Sequence, residues 1–122
     1  KKMKSPLNDL HQRAMHLADE AFYAKKDGQN ALAQEKYLEA FEYEKAAAML
    51  LVQNYEMEPT RSVFFRSAAC LLLNLPLFET EHHREAEKML AFGLSGNPPA
   101  EIAQELRDAW KELMNLNMEV AA

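Results

Sequence analysis

The sequence predicts an all-α protein, built as an antiparallel array of about five helices. Apolar residues recur at intervals of three and four along most of the chain, which is the period of one face of an α-helix. Only three Gly and five Pro interrupt the 122 residues, and this leaves room for long helices and few tight turns. No segment alternates apolar and polar residues as a half-buried strand does.

The first two helices are predicted from their stripes of small and apolar residues. The first is expected from Asn8 to Lys26, entered at Pro6 and ended by Asp27-Gly28. Its stripe is Leu10, Ala14, Leu17, Ala21 and Ala24. The second is expected from Asn30 to Tyr55. Its stripe is Ala33, Tyr37, Ala40, Phe41, Ala47, Ala48, Leu51 and Tyr55.

The third helix is expected to be the central one. It is predicted from Thr60 to about Leu75, with Pro59 in its first turn and Pro76 closing it. Its sequence is apolar nearly all round, and such a helix lies between neighbours rather than at a surface.

The last two helices follow a polar stretch, FETEHHRE, which is expected to form a turn or a helix start. The fourth is predicted through Ala86, Met89, Leu90 and Leu94, with Gly96-Asn97-Pro98 as its stop signal. The fifth begins near Pro99 and is amphipathic. Its apolar stripe is Ile102, Leu106, Ala109, Trp110 and Leu113.

Composition argues against two classes of partner, nucleic acids and membranes. The formal net charge of −5 would repel a phosphate backbone, and the terminal Lys1, Lys2 and Lys4 are given no functional weight, so no nucleic-acid partner is expected. The longest apolar run, Ala68 to Leu73, is too short to span a bilayer, so no membrane partner is expected. The single Cys70 cannot form an intramolecular disulfide and fits a reducing compartment, which favours a cytoplasmic location.

Two helix pairs followed by a single helix suggest an internal repeat. The segment LADEAFYAKKDGQNALAQEKYLEAFEYE, with Ala21 at a crossing point and Gly28 in the turn, resembles a tetratricopeptide repeat. A second pair, ending at NPP, is similar in order. The resemblance implies a right-handed superhelix with repeat one at about 10–57, repeat two at about 58–98 and a capping helix at about 99–117. The helix from Asn30 and the turn between Asn74 and Glu85 are longer than the family's.

A second resemblance covers only Ala14 to about Leu51. Its small residues and the segment YLEAFEYE are similar to the microtubule-interacting-and-trafficking domain, a three-helix bundle that binds peptide helices. This resemblance ranks second because it leaves LSGNPP and the last helix unexplained. Both resemblances imply recognition of a protein or peptide.

The best enzymatic alternative is a metal-assisted hydrolase centred on Glu79, His82 and His83. A di-iron bundle needs two Glu-x-x-His motifs and a catalytic zinc needs three protein ligands, whereas this chain has one such motif, and the remaining histidines, His11 and His16, lie about 140° apart on a helix. No nucleophile elbow or phosphate-cradling glycine loop occurs. We therefore expect no enzyme, no bound metal and no cofactor.

Two arginines stand out in the predicted central helix. Arg61 and Arg66 are five residues apart and point about 140° away from each other, so they cannot grip one ligand together. For Arg61 we expect a structural ion pair or a helix-end contact. For Arg66 the alternatives are a structural contact and an anchor for an acidic side chain or a C-terminal carboxylate. The carboxylates expected to pair with them are Glu39, Glu42, Glu44, Glu56 and Glu58.

The tetratricopeptide resemblance puts the face of Arg66 on the concave surface, where many such repeats bind peptides. The version that clamps a terminal carboxylate is disfavoured, because Ala18 and Phe22 occupy the first-helix positions of the clamp and Cys70 stands where an Asn is expected.

The candidate partner-binding residues are Arg66, Phe22, Lys25 and Cys70. The predicted function is a non-catalytic module that binds a protein or peptide. A homodimer or structural subunit, with Trp110 and Met114 at a self-interface, remains open.

Overall fold

The computed structural model describes residues 5–121, with side chains to residue 116, and within this part it holds five α-helices and no strand. The predicted all-α antiparallel array is confirmed. The helices are α1 (Pro6–Lys26), α2 (Asn30–Leu50), α3 (Thr60–Leu73), α4 (Thr80–Leu94) and α5 (Ala100–Ala121), with one 3-10 turn at Tyr55–Met57. The three lysines at the start of the chain lie outside the described residues.

Side-chain caps explain where several helices begin. The Ser5 hydroxyl accepts the N–H of Asn8 at 3.1 Å, and Pro6 follows at the first helical position of α1. Pro59 cannot cap α3 with its side chain, and Glu58 takes over this role, because its Oε1 accepts the N–H of Ser62 at 2.9 Å. Gly28 ends the α1–α2 turn with a positive φ of 81°, which favours glycine.

Small residues let α1 and α2 cross closely. Every alanine of the predicted stripes on these two helices is buried, and small side chains at a crossing allow two backbones to approach. On α4, Gly93 makes room for both α5 and α3, since a Cβ there would stand 3.0 Å from a Leu106 methyl and 3.3 Å from Phe65 Cβ.

The central helix α3 contacts α2, α4 and α5. It buries residues on most of its circumference: Arg61, Ser62, Phe64, Phe65, Ala68, Ala69, Leu71 and Leu72. The expectation that this helix lies between neighbours is therefore confirmed. Each fully buried Phe or Leu contributes about 1.5–3 kcal/mol to folding, so the buried residues of α3 contribute substantially to the stability of the core.

Two predicted boundaries are wrong. The helix from Asn30 ends at Leu50 rather than Tyr55, because the chain turns at Leu51 and Val52 and the Val52 carbonyl accepts a hydrogen bond from Arg61. Tyr55 is consequently exposed rather than part of the core stripe. Of the two alternatives for FETEHHRE, a turn or a helix start, the helix start is confirmed, because α4 begins at Thr80, and the turn is therefore shorter than the expected one up to Glu85.

Candidate functional site

A groove of about 530 Å³ lies over α3 between α1 and α5. Its lining comes from alternate helices of the array: Met15 and Ala18 on α1, Arg66, Ser67, Cys70, Leu71 and Asn74 on or just after α3, and Glu105, Asp108, Ala109 and Glu112 on α5. Small residues such as Ala18, Ser67 and Ala109 leave the space open, and the charged side chains come from α3 and α5.

Arg66 lies in this groove and pairs with Glu105 of α5. Both side chains keep partial access to water, with 30% of the arginine and 44% of the glutamate side chain exposed. The carboxylates expected as partners all lie on or shortly after α2, so for Arg66 that expectation is wrong. The sequence gives little indication that Glu105 pairs with Arg66, because this pairing depends on how α5 packs across α3.

The α5 wall of the groove is acidic. Glu105, Asp108 and Glu112 are spaced by three and four residues, and this spacing puts their side chains on one side of the helix. Asp108 and Glu112 are exposed. Asp108 accepts a hydrogen bond at 2.9 Å from Gln104, a neutral amide. Among the described residues of the lining Arg66 is the one basic residue, so this part of the groove has an excess of two negative charges.

Cys70 is half-buried on the groove floor. Burial raises the pKa of its thiol; the charge of Arg66 opposes this effect, and those of Glu112 and Glu105 add to it. A thiol with a raised pKa is mostly protonated at neutral pH and is a poor nucleophile. Cys70 therefore acts here as a small apolar lining residue.

The other two candidates lie outside the groove lining. Phe22 is 55% exposed and packs edge-on against Tyr23, with ring centroids 5.4 Å apart. Lys25 donates from Nζ to the carbonyl of Asn74 at 2.7 Å, and Asn74 is a lining residue. The structure thus brings Arg66 and Cys70 together, attaches Lys25 to one end of the groove, and leaves Phe22 as an exposed aromatic on α1.

Arg61 has a wholly different environment, because its side chain is fully buried. It donates to the carbonyl of Val52 at 3.0 Å and to that of Phe92 at 2.9 Å, and its Nη1 lies 3.4 Å from Glu58 Oε2. The guanidinium also lies 5.0 Å from the ring centroid of Tyr55. These contacts confirm a structural role for Arg61 and identify Glu58 as its carboxylate partner.

Glu58 connects Arg61 to the start of α5. Its Oε2 also accepts the N–H of Asn97 at 3.0 Å. Burial raises the pKa of Glu58, but the hydrogen bonds from Asn97 and Ser62 and the charge of Arg61 outweigh burial and lower the pKa below its ordinary value. We call Glu58, Arg61, the two carbonyls of Val52 and Phe92, and the N–H of Asn97 the Arg61 cluster.

Glu44 is a buried carboxylate whose role was not anticipated. It is fully buried on α2 and faces His11 of α1, with Nδ1 2.9 and 3.0 Å from its two oxygens. Burial raises the pKa of Glu44, while hydrogen bonds from His11 and Ser67 oppose the rise. The sequence could have indicated that Glu44 is buried, since it lies at helical spacing between Phe41 and Ala48 on the apolar stripe of α2.

The Glu-x-x-His motif forms a helix cap. Glu79 and His82 cap each other reciprocally, and the N–H of Glu79 donates to Nδ1 of His82 at 2.9 Å. The side-chain atoms of Glu79, Glu81 and His82 that could bind a metal ion lie within 4.8 Å of one another. However, Nδ1 must carry the lone pair that accepts this hydrogen bond, so in the neutral ring Nε2 carries the proton and cannot bind a metal. His83 is not part of this group. The three-residue metal centre of the hydrolase alternative, Glu79, His82 and His83, therefore does not fit.

A second, smaller groove of about 310 Å³ lies where the end of α4 meets α5, and it is lined by Leu94, Arg107, Trp110 and Lys111. Trp110 and Met114 are half-buried and pack against the core. Self-association through these two residues stays a prediction.

Comparison with protein-family models, with curated proteins and with solved structures finds no match to this chain. None of the helices in residues 5–121 combines the length and the apolar character that crossing a bilayer requires.

Proposed function

We propose that the protein is a non-catalytic, tetratricopeptide-like module that binds a peptide segment of a partner protein in the groove between α1 and α5. The observation that supports this proposal is the groove itself, which is open and is lined by alternate helices around the central α3. Concave surfaces with an apolar floor and a few polar groups are the usual sites of ligand binding.

The chemistry of the lining favours binding over catalysis. Arg66 is engaged with Glu105, and the Cys70 thiol has a raised pKa. Neither arrangement supplies an activated nucleophile or a general base held against one. The metal-assisted alternative is not favoured either, because the cap at Glu79 fixes the His82 tautomer that a metal cannot use. A cytoplasmic location stays a prediction that depends on the lone Cys70.

A random peptide library displayed on phage tests the proposal directly. We expect selection on the wild-type protein to enrich peptides that bind it in fluorescence anisotropy. Filling the groove with Ala18→Leu should displace part of the bound peptide. We expect a loss of about 1.4 kcal/mol or more of binding free energy, which is a loss of at least about tenfold in affinity.

The matched control is Ala91→Leu, which adds the same side chain at an exposed position of α4, outside the groove lining. Circular dichroism must show the same helical content and a similar melting temperature for both variants. If no peptide is enriched, or if Ala18→Leu and Ala91→Leu bind the enriched peptides equally well, the proposed groove function is wrong.

A further inference from the structure

We infer that the groove selects peptide segments with a lysine or arginine beside apolar residues, and that Arg66 competes with this ligand instead of anchoring it. The inference rests on the proposed function and specifies its partner. It reverses the expectation that Arg66 binds an acidic side chain or a C-terminal carboxylate.

The first argument is the state of Arg66. Its guanidinium is already paired with Glu105 across the groove. An acidic ligand would either break this pair or bind the remaining N–H groups of Arg66, and in both cases it would lie beside the Glu105 carboxylate. A basic ligand can share Glu105 or replace Arg66 as its partner, and the repulsion between its charge and Arg66 is the competition that we infer.

The second argument is the charge that remains. Once Arg66 and Glu105 balance each other, Asp108 and Glu112 leave the described part of the lining with two negative charges. The nearest cation on α1, Lys25, is held at one end of the groove by the carbonyl of Asn74. The hydrogen-bond partner of Asp108 is the neutral Gln104, whose amide oxygen accepts from Arg107 at 3.1 Å, so Arg107 reaches Asp108 only through this amide. The basic residues of α5 nearest to them, Arg107 and Lys111, line the groove on the other side of the helix.

The third argument is the distribution of apolar and acidic groups. The α1 side of the groove contributes Met15 and Ala18, and the floor contributes Leu71 and Ala109, whereas the carboxylates come from α5. A lysine or arginine matches this arrangement, because its aliphatic stem packs on apolar groups while its charged end reaches a carboxylate. A small inorganic cation would gain nothing from the apolar part.

The experiment uses the same phage selection and then synthetic peptides of defined charge. We expect the enriched peptides to carry a net positive charge, and replacement of their Lys and Arg by Gln to weaken binding. On the protein, Asp108→Asn/Glu112→Gln should weaken binding of the basic peptide about fivefold or more at low salt, since each exposed ion pair is worth up to about 1 kcal/mol. Added salt should reduce the difference.

Arg66→Gln should change the affinity for the basic peptide in the opposite direction. It releases Glu105, so we expect the basic peptide to bind about two- to fivefold more tightly. An anchoring arginine would instead lose binding when it is replaced. The matched control for the acidic double variant is Glu35→Gln/Glu56→Gln, which removes the same charge at two exposed positions outside the groove and should leave binding unchanged.

The possible failures are distinguishable. If peptides bind and Ala18→Leu abolishes binding, but the peptides are acidic or neutral, the groove function stands and the inference is wrong. The inference also fails if Arg66→Gln weakens binding of the basic peptide, or if Asp108→Asn/Glu112→Gln has no more effect than its control. If no peptide binds in the groove at all, the proposed function and the inference fail together.

Discussion

Arg61 and Arg66 lie five residues apart on the same helix, yet Arg61 is buried in the protein interior and Arg66 lies in an open groove. Arg61 is fully buried and donates to two carbonyls and a carboxylate. Arg66 keeps 30% of its side chain exposed and has one partner, Glu105. The difference follows from the helix period, because about 140° separates the two side chains around α3. The same residue type therefore stabilises the fold at one position and shapes a surface at the other.

Loss of Arg61 should give the largest effect on stability. Arg61→Met removes hydrogen bonds to the carbonyls of Val52 and Phe92 and leaves Glu58 without its cation. Breaking a buried pair in this way costs about 3–5 kcal/mol. Urea unfolding followed by circular dichroism measures the loss. If Arg61→Met does not fold, Arg61→Lys should fold with an intermediate loss, since it keeps the charge without the planar fork. Wild-type stability in either variant would contradict a structural role.

Gly96→Ala should have the next largest effect. A Cβ at this position would lie 2.7 Å from Glu58 Oε2 and 2.8 Å from Arg61 Cζ, so the Arg61 cluster would have to shift. Overpacking of this kind costs about 1–3 kcal/mol. In an Arg61→Met background the cost should shrink, and a double-mutant cycle measures this coupling. Equal costs in both backgrounds would mean that Gly96 does not make room for Arg61.

The pH dependence of stability should have opposite signs for the carboxylates of Glu58 and Glu44. Because the pKa of Glu58 is lowered in the folded protein, its stabilising contribution is present above the ordinary Glu range and is lost as pH falls through the lowered value. Because the pKa of Glu44 is raised, the folded state holds its proton longer, and stability falls as pH rises from the ordinary range through the raised value. Urea unfolding from pH 3 to 8 should show less acid sensitivity in Glu58→Gln and a smaller decline toward neutral pH in Glu44→Gln. Unchanged profiles would contradict both assignments.

Replacing Arg66 should have the smallest effect on stability. A partly exposed ion pair is worth about 0.2–1 kcal/mol, so Arg66→Met should lower the free energy of unfolding by less than about 1 kcal/mol. This variant is the matched control for Arg61→Met, because it makes the same substitution on the same helix. A loss as large as that of Arg61→Met would show that the groove wall is part of the core.

Local signals predicted most of the fold. The three-and-four spacing of apolar residues located all five helices, and Pro6, Gly28 and Pro59 lie at the helix ends for which they were expected. The end of α2 was missed, since no Gly or Pro marks Leu50. Short-range backbone hydrogen bonds close the turn after it, and Arg61 donates to the Val52 carbonyl within that turn. The first turn of α4 was assigned only loosely, because a Glu and a His that cap each other look like a polar loop in sequence.

The candidate site was predicted less completely. Helical geometry separated the roles of Arg61 and Arg66, and the carboxylates proposed as partners included Glu58. Glu105 was absent from that set, because 39 residues separate it from Arg66 and no local pattern reports how α5 crosses α3. The acidic wall of the groove became apparent only when the faces of α3 and α5 were seen together.

The position of the Arg61 cluster at one end of the helix array affects how the protein opens. At that end the chain segments after α2, before α3 and after α4 share one guanidinium and one carboxylate, so none of them can separate without breaking bonds of the others. At the opposite end the links are exposed and pairwise, from Lys25 to Asn74 and from Gln34 to Leu77. Amide hydrogen exchange should therefore be slow and concerted at the first end and independent, link by link, at the second.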